Sequence, residues 1–195
     1  GCTVCGQVKA DVAVAKIGSK NYKTLAEAVA AGGDVTLLDN VVVSEPVIVN
    51  KTVILNMDGK TISNTTDIWN EATGAWSLIS VRNGKLQSKA NDCFAVDVQG
   101  GATLTIENGT FVGNVHAVYV YQGDLTVKGG AYSIQQKYSD PAKADEFVLN
   151  CYDKHRTEGT AKIIVTGGTF EKFNPANCKA EGEGTNFVAP GYAVT

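Results

Sequence analysis

Ala95-Val96-Asp97-Val98-Gln99-Gly100-Gly101-Ala102-Thr103-Leu104-Thr105-Ile106-Glu107-Asn108-Gly109-Thr110-Phe111 is nearly repeated by Ala117-Val118-Tyr119-Val120-Tyr121-Gln122-Gly123-Asp124-Leu125-Thr126-Val127-Lys128-Gly129-Gly130-Ala131-Tyr132. With one residue deleted in the second turn, Val96 and Val98 fall on Val118 and Val120, and Leu104 and Ile106 on Leu125 and Val127. Gly109 then meets Gly130, and Phe111 meets Tyr132. Self-similarity on this scale marks a repeat architecture, in which each unit buries its apolar face only against its neighbours. Each unit holds two short alternating apolar segments bounded by Gly, Asn or Asp, the pattern of short strands joined by turns. Nothing between the segments can form a crossover helix, so parallel neighbours must come from coiling the whole chain. Three short strands per turn, stacked on the next turn at ~4.8 Å, would bury one column of side chains from each alternating position. The expected fold is all-β: a right-handed parallel β-helix of about five coils.

Outside the repeat the chain reads consistently with such a coil. Residues 1–11 form a linker or remnant, and the alternation over residues 12–17 predicts a first strand. Thr24-Leu25-Ala26-Glu27 has the form of a capping box, so a short helix should run to about Ala31 and stop at Gly32-Gly33, with Leu25, Ala28 and Val29 as its buried face. A β-helix has an open, apolar end, and this short N-terminal capping helix is suited to cover it. The runs Val35-Thr36-Leu37-Leu38, Val41-Val42-Val43, Val47-Ile48-Val49 and Val53-Ile54-Leu55 are short and rich in β-branched residues, as buried parallel strands are. Turn glycines recur at Gly59, Gly84, Gly109, Gly130 and Gly168, spacings of 25, 25, 21 and 38 by subtraction. The first three suit single coils, and the last requires an insertion. Polar residues 135–146 and 153–160 supply it as expected loops, and a further loop over residues 64–77 holds Trp69 and Trp76. The domain plan is 1–11 remnant, 12–33 strand and capping helix, 34–173 β-helix, and 174–195 C-terminal cap.

Composition bounds the function classes. At 195 residues the chain suits one domain with a substantial core, and 17 Lys and Arg against 20 acids give a formal net charge of −3. No Lys/Arg cluster appears, so nucleic acid is set aside as a partner. The apolar runs fall far short of the ~20 residues a membrane-spanning helix requires. Beginning at Gly1 rather than Met, the chain reads as a trimmed segment or mature fragment. Of five cysteines only Cys2 and Cys5 are closely spaced, and two thiolates cannot complete a tetrahedral zinc site, so no metal or other cofactor is expected. Cys151 aligns with Val98 and Val120 and reads as a small buried hydrophobe. A Cys93–Cys178 pair stays open.

Several stretches carry a resemblance. Ala15-Lys16-Ile17-Gly18, Tyr22-Lys23-Thr24-Leu25-Ala26-Glu27-Ala28-Val29, Val35-Thr36-Leu37-Leu38, Asp58-Gly59-Lys60-Thr61-Ile62, Gly167-Gly168-Thr169-Phe170 and Phe187-Val188-Ala189-Pro190-Gly191-Tyr192 resemble the pectate-lyase-like β-helix modules of bacterial surface proteins. The tail from Phe173-Asn174-Pro175 to Tyr192 is similar to modules of phage fibre proteins. Cys2-Thr3-Val4-Cys5-Gly6 resembles the end of small Cys-rich repeats in large surface proteins of gut bacteria. The likeness implies a secreted or cell-surface, adhesin-like module of a longer chain, with a glycan or a host or cell-surface protein as partner. Because the scaffold carries lyases, hydrolases, adhesins and fibres, function must be read from the site.

Reactive groups of a family enzyme would have to converge on one sheet face. Asn64-Thr65-Thr66-Asp67 is only loosely similar to an Asn-Thr-Asp motif, and neither an Asp-Asp pair nor Gly-His-Gly occurs. Lyases of the family use a basic residue near acid-bound calcium, but the only arginines, Arg82 and Arg156, have no acidic cluster beside them in sequence. No catalytic residue is assigned, and the reading leans away from an enzyme. His116 aligns with Phe94 and Phe147, which are expected to point inward, and reads as a hydrogen-bonded histidine at the rim of the core. The outward positions are more suggestive. Asp97, Tyr119 and Asn150 should stack on adjacent coils, with Gln99, Tyr121 and Tyr152 beside them at the corner. Tyrosines with an acid and amides can stack on sugar rings or present a protein-binding patch, and the competing reading is a ladder that merely covers the sheet. His155 and Arg156 in Asp153-Lys154-His155-Arg156 could touch an acidic ligand or form a solvated loop tip. Trp69 and Trp76 either fold onto the sheet or make a sugar platform. The expected function is a non-catalytic extracellular binding module, with a polysaccharide-degrading enzyme as first alternative and a trimeric phage fibre module as second.

Overall fold

The structure is a computed structural model and describes residues 12–44, 47–64, 79–82, 84–87, 94–136, 147–182 and 184–195. In chain order the elements are β1 (Ala15–Ile17), β2 (Lys20–Tyr22), α1 (Leu25–Ala31), β3 (Gly33–Leu37) and β4 (Val41–Val43). Then come β5 (Val53–Asn56) and β6 (Thr61–Asn64), followed by β7 (Ile79–Arg82), β8 (Lys85–Gln87) and β9 (Phe94–Val98). The next turn is β10 (Ala102–Ile106), β11 (Thr110–Gly113) and β12 (His116–Val120), and the next β13 (Gly123–Val127), β14 (Ala131–Ile134) and β15 (Leu149–Cys151). The chain finishes with α2 (Asp153–Thr157), β16 (Ala161–Val165), β17 (Thr169–Phe170) and a 3-10 turn at Lys179–Glu181.

Strands from successive turns lie side by side in three sheets. The first runs β16-β13-β10-β7-β5-β3-β1-β2, the second β17-β14-β11-β8-β6-β4 and the third β15-β12-β9. All pairings are parallel except those of β1, which is antiparallel to both β2 and β3. The chain is therefore a parallel β-solenoid with about three complete three-strand turns and two-strand turns on either side. Its register is the one the repeat demands: Val98 pairs with Val120 and Val120 with Cys151, Leu104 with Leu125, and Phe111 with Tyr132.

Those columns make the core. Val98, Val120, Leu104, Ile106 and Val127 have no exposed surface, and removing one large apolar side chain of this kind from water is worth about 2 kcal/mol. An aromatic ladder runs inside the second sheet, Phe111 stacking on Tyr132 at 5.2 Å and Tyr132 on Phe170 at 5.0 Å, with Phe173 tilted against its end at 5.8 Å. The turns permit this stacking because their glycines let backbones touch. At Gly130 φ is +101°, and a Cβ there would sit 2.9 Å from the Gly109 carbonyl oxygen, in the turn where the Ala131 N–H donates to that oxygen at 2.8 Å.

The capping box of α1 is formed, with Thr24 Oγ1 accepting from Glu27 N–H at 3.1 Å and Glu27 Oε2 from Thr24 N–H at 3.3 Å. Leu25, Ala28 and Val29 join the core, and Gly32, with φ 77°, ends the helix. The first sheet continues past β3 into the antiparallel β1–β2 hairpin, which forms its N-terminal edge. Val47-Ile48-Val49 contributes no strand: Val49 is buried and Ile48 is 49% exposed, so the alternation survives in an isolated bridge. Residues 153–160, expected as a loop, begin with α2. Among the described residues no helix is long and apolar enough to cross a membrane. Trp69, Trp76, Cys2, Cys5 and Cys93 lie outside the described residues.

Candidate functional site

The third sheet and the corner that follows it carry most of the singled-out residues. Register places Asp97, Tyr119 and Asn150 in one outward column, one turn apart. This column is half-covered. The Tyr119 ring lies 4.9 Å from Phe94 and 5.1 Å from His116, whose ring also meets Phe147 at 5.7 Å. Phe94 and Phe147 are half-buried and stand with His116 at the rim, a correction to their expected inward placement. His116 Nδ1 is 2.7 Å from the Phe147 carbonyl oxygen; a carbonyl can only accept, so Nδ1 carries the proton. Burial lowers the His116 pKa to about 4, against the pull of that hydrogen bond, and the ring is neutral at pH 7.

Burial likewise raises Asp97 to about 6, opposed by Gln99 Nε2, which donates to Oδ2 at 2.6 Å. The other oxygen, Oδ1, is closed off from solvent without a hydrogen-bond partner. Gln99 is turned into the protein, 5% exposed, rather than standing out beside the corner tyrosines. The Tyr119 hydroxyl is pushed above its usual range, first by burial and then by the charges of Asp97 and Glu181.

Glu181 is the residue that sequence reading missed. It lies in the C-terminal tail, 7% exposed, and its carboxylate covers the outer edge of β15. Oε1 accepts the Cys151 N–H, which also lies 3.1 Å from Asn150 Oδ1, and Oε2 accepts Arg156 Nε–H at 2.6 Å. The Arg156 guanidinium donates further to the Glu181 backbone carbonyl at 2.9 Å and lies 3.7 Å from Asp153 Oδ1. Burial raises Glu181 to about 7, with the Cys151 N–H and Arg156 pulling it down. Elsewhere the tail follows suit: Val188 bridges Val165 of β16, and the Val165 N–H donates to the Phe187 carbonyl at 2.8 Å.

Two residues further along the same strands the surface opens. Tyr121 and Tyr152, 37% and 36% exposed, stack at 5.0 Å with their planes 22° apart. His155 stands edge-on to both, at 4.7 and 4.9 Å, and its Nδ1 lies 2.6 Å from the Tyr121 carbonyl, which makes Nδ1 the donor. The ladder bonds Tyr121 N–H to Val98 carbonyl and Tyr152 N–H to Val120 carbonyl, at 2.9 and 3.0 Å, hold the two rings one turn apart. Arg156, expected to face a ligand, is instead spent on Glu181.

A second concavity, of about 720 Å³, runs along the turn between the first two sheets past Gly84, Gly109, Gly130 and Gly168. It offers backbone groups and threonine hydroxyls, with Lys85 as its one charged side chain among the described residues. Among the described residues no group of three or more His, Cys, Asp or Glu could hold a metal ion. Comparison of the chain with protein-family models, with curated proteins and with solved structures finds no match.

Proposed function

We propose that this chain is a non-catalytic, adhesin-like module of a secreted or cell-surface protein, which recognises a glycan or a protein through the corner ledge of Tyr121, Tyr152 and His155. On this reading it is a right-handed, pectate-lyase-like β-helix of about five coils, with α1 as its cap. The observation that carries it is the stacked, part-exposed tyrosine pair. Each ring has an apolar body to lay against a ligand and a hydroxyl to bond it, and the β ladder prepays the entropy of holding them. Asp97, Tyr119 and Asn150 support the ledge from behind, and Arg156 fastens α2; Trp69 and Trp76 are further candidate ligand-binding residues. An array of glycans and cell-surface proteins probed with the intact chain tests this. Binding that disappears in Tyr121→Ala and Tyr152→Ala sustains it, and binding indifferent to both ends it.

One observation favours the enzyme reading, namely two carboxyl groups of raised pKa, Asp97 and Glu181, acting on the same tyrosine. Their surroundings weigh against it, since Glu181 has both oxygens bonded within the protein and Asp97 Oδ1 is shut from solvent. Release of reducing ends or unsaturated products from pectin-like polymers, lost in Asp97→Asn, would replace the binding reading with the catalytic one.

A further inference from the structure

We infer that the ligand of the Tyr121–Tyr152 ledge is an uncharged saccharide chain, and that Glu181 sets this preference by cancelling Arg156; the inference rests on reading the ledge as a binding surface.

The ledge offers what a neutral hexose needs. The C–H face of a sugar packs on an aromatic ring, and its hydroxyls both donate and accept. His155 keeps its second ring nitrogen, Nε2, for a hydroxyl, and the Asp153 carboxylate, on a side chain 72% exposed, is an acceptor. What the ledge lacks is an unpaired arginine. Beside it α2 carries the exposed Lys154 and also Arg156, which lies against Asp153 and the tail carboxylate of Glu181. Arg156 is held by Glu181 at 2.6 Å and faces Asp153 at 3.7 Å, so its charge is already paired within the protein. Past the corner, the outward Asp124 and Lys162 are register partners and offset one another. A uronate, sialylated or sulfated chain would be stripped of water next to a surface whose arginine is already paired and whose Lys154 stays in solvent, which is a penalty that a neutral chain does not meet. The tail therefore does more than close β15, because its carboxylate makes the one arginine near the ledge electrostatically silent.

The test is a set of matched glycans, neutral, uronate-containing, sialylated and sulfated, titrated against the intact chain at low and physiological salt. Wild type should bind members of the neutral set at least about tenfold more tightly than their anionic counterparts, and Tyr152→Ala should lose about tenfold on the neutral ones. Glu181→Gln should release the Arg156 charge and raise the anionic-to-neutral ratio about fivefold, an effect that fades with salt. Asp153→Asn, on an exposed side chain at the margin of the Arg156–Glu181 pair, should move the ratio the same way by about twofold and serves if Glu181→Gln unfolds. An anionic preference in wild type overturns the inference while leaving a glycan-binding ledge in place. A ratio unmoved by both variants, each folded, overturns the role of Glu181. Binding only to proteins, or to nothing, overturns both this inference and its glycan premise.

Discussion

Two outward columns stand side by side on the third sheet and its corner, built by the same strands, yet they have opposite fates. Asp97, Tyr119 and Asn150 are half-covered by Phe94, His116 and the tail carboxylate of Glu181, whereas Tyr121 and Tyr152, two positions on, remain open. Alternation along a strand decides only inside from outside. Which outside positions meet solvent is decided by the segments laid over the coil. A tyrosine in the first column is a packing residue, and one in the second is available for contact.

Substitutions can break this comparison in order of expected size. Glu181→Ala should cost most, about 3 kcal/mol in urea unfolding, because it leaves the Cys151 N–H and the Arg156 guanidinium without their main acceptor. Limited proteolysis should then release the tail first, and a tail that stays protected would show that it is held by other contacts. Tyr119→Ala should cost about 2 kcal/mol through lost ring packing against Phe94 and His116.

Asp97→Asn sharpens the comparison with a pH dependence. The wild-type carboxyl has its pKa raised from 3.8 to about 6, so its contribution to stability is fully present below pH 3.8 and is lost as pH rises through 6. The asparagine variant escapes that loss and should be about 2 kcal/mol more stable than wild type at pH 7, with little difference at pH 3.5, by chemical denaturation at both values. An unchanged difference between the two pH values would mean that Asp97 is not desolvated. His116 works in the opposite sense: its pKa falls from 6.5 to about 4, so its share is present above pH 6.5 and drains away toward pH 4. The smallest effects belong to the open column. Tyr121→Ala should shift stability by about 0.5 kcal/mol while abolishing ligand binding, and a loss as large as that of Tyr119→Ala would erase the distinction between the columns.

Much of the coil could be read directly. Superposing Val98 on Val120 and then deleting one turn residue to bring Leu104 onto Leu125 foretells the register, since a one-residue slip would turn every core side chain outward. The capping box was equally readable, because its two hydrogen bonds join residues three apart. The ledge was half-readable. Tyr121 and Tyr152 were placed together by the repeat, but His155 joins them only because residues 153–157 fold as a short helix where a polar loop was expected.

From its own pattern the sequence determined the winding, the buried columns and the turns, because those depend on period-two alternation and on glycine at fixed spacings, which are local properties. The tertiary structure alone decided that Gln99 turns inward to Asp97, that the Arg156 charge is cancelled, and that a glutamate thirty residues downstream seals β15. The two glutamate contacts join chain segments with no shared periodicity, so their energy depends on burial and on distances that exist only once the coil has formed and its tail has come to rest against it.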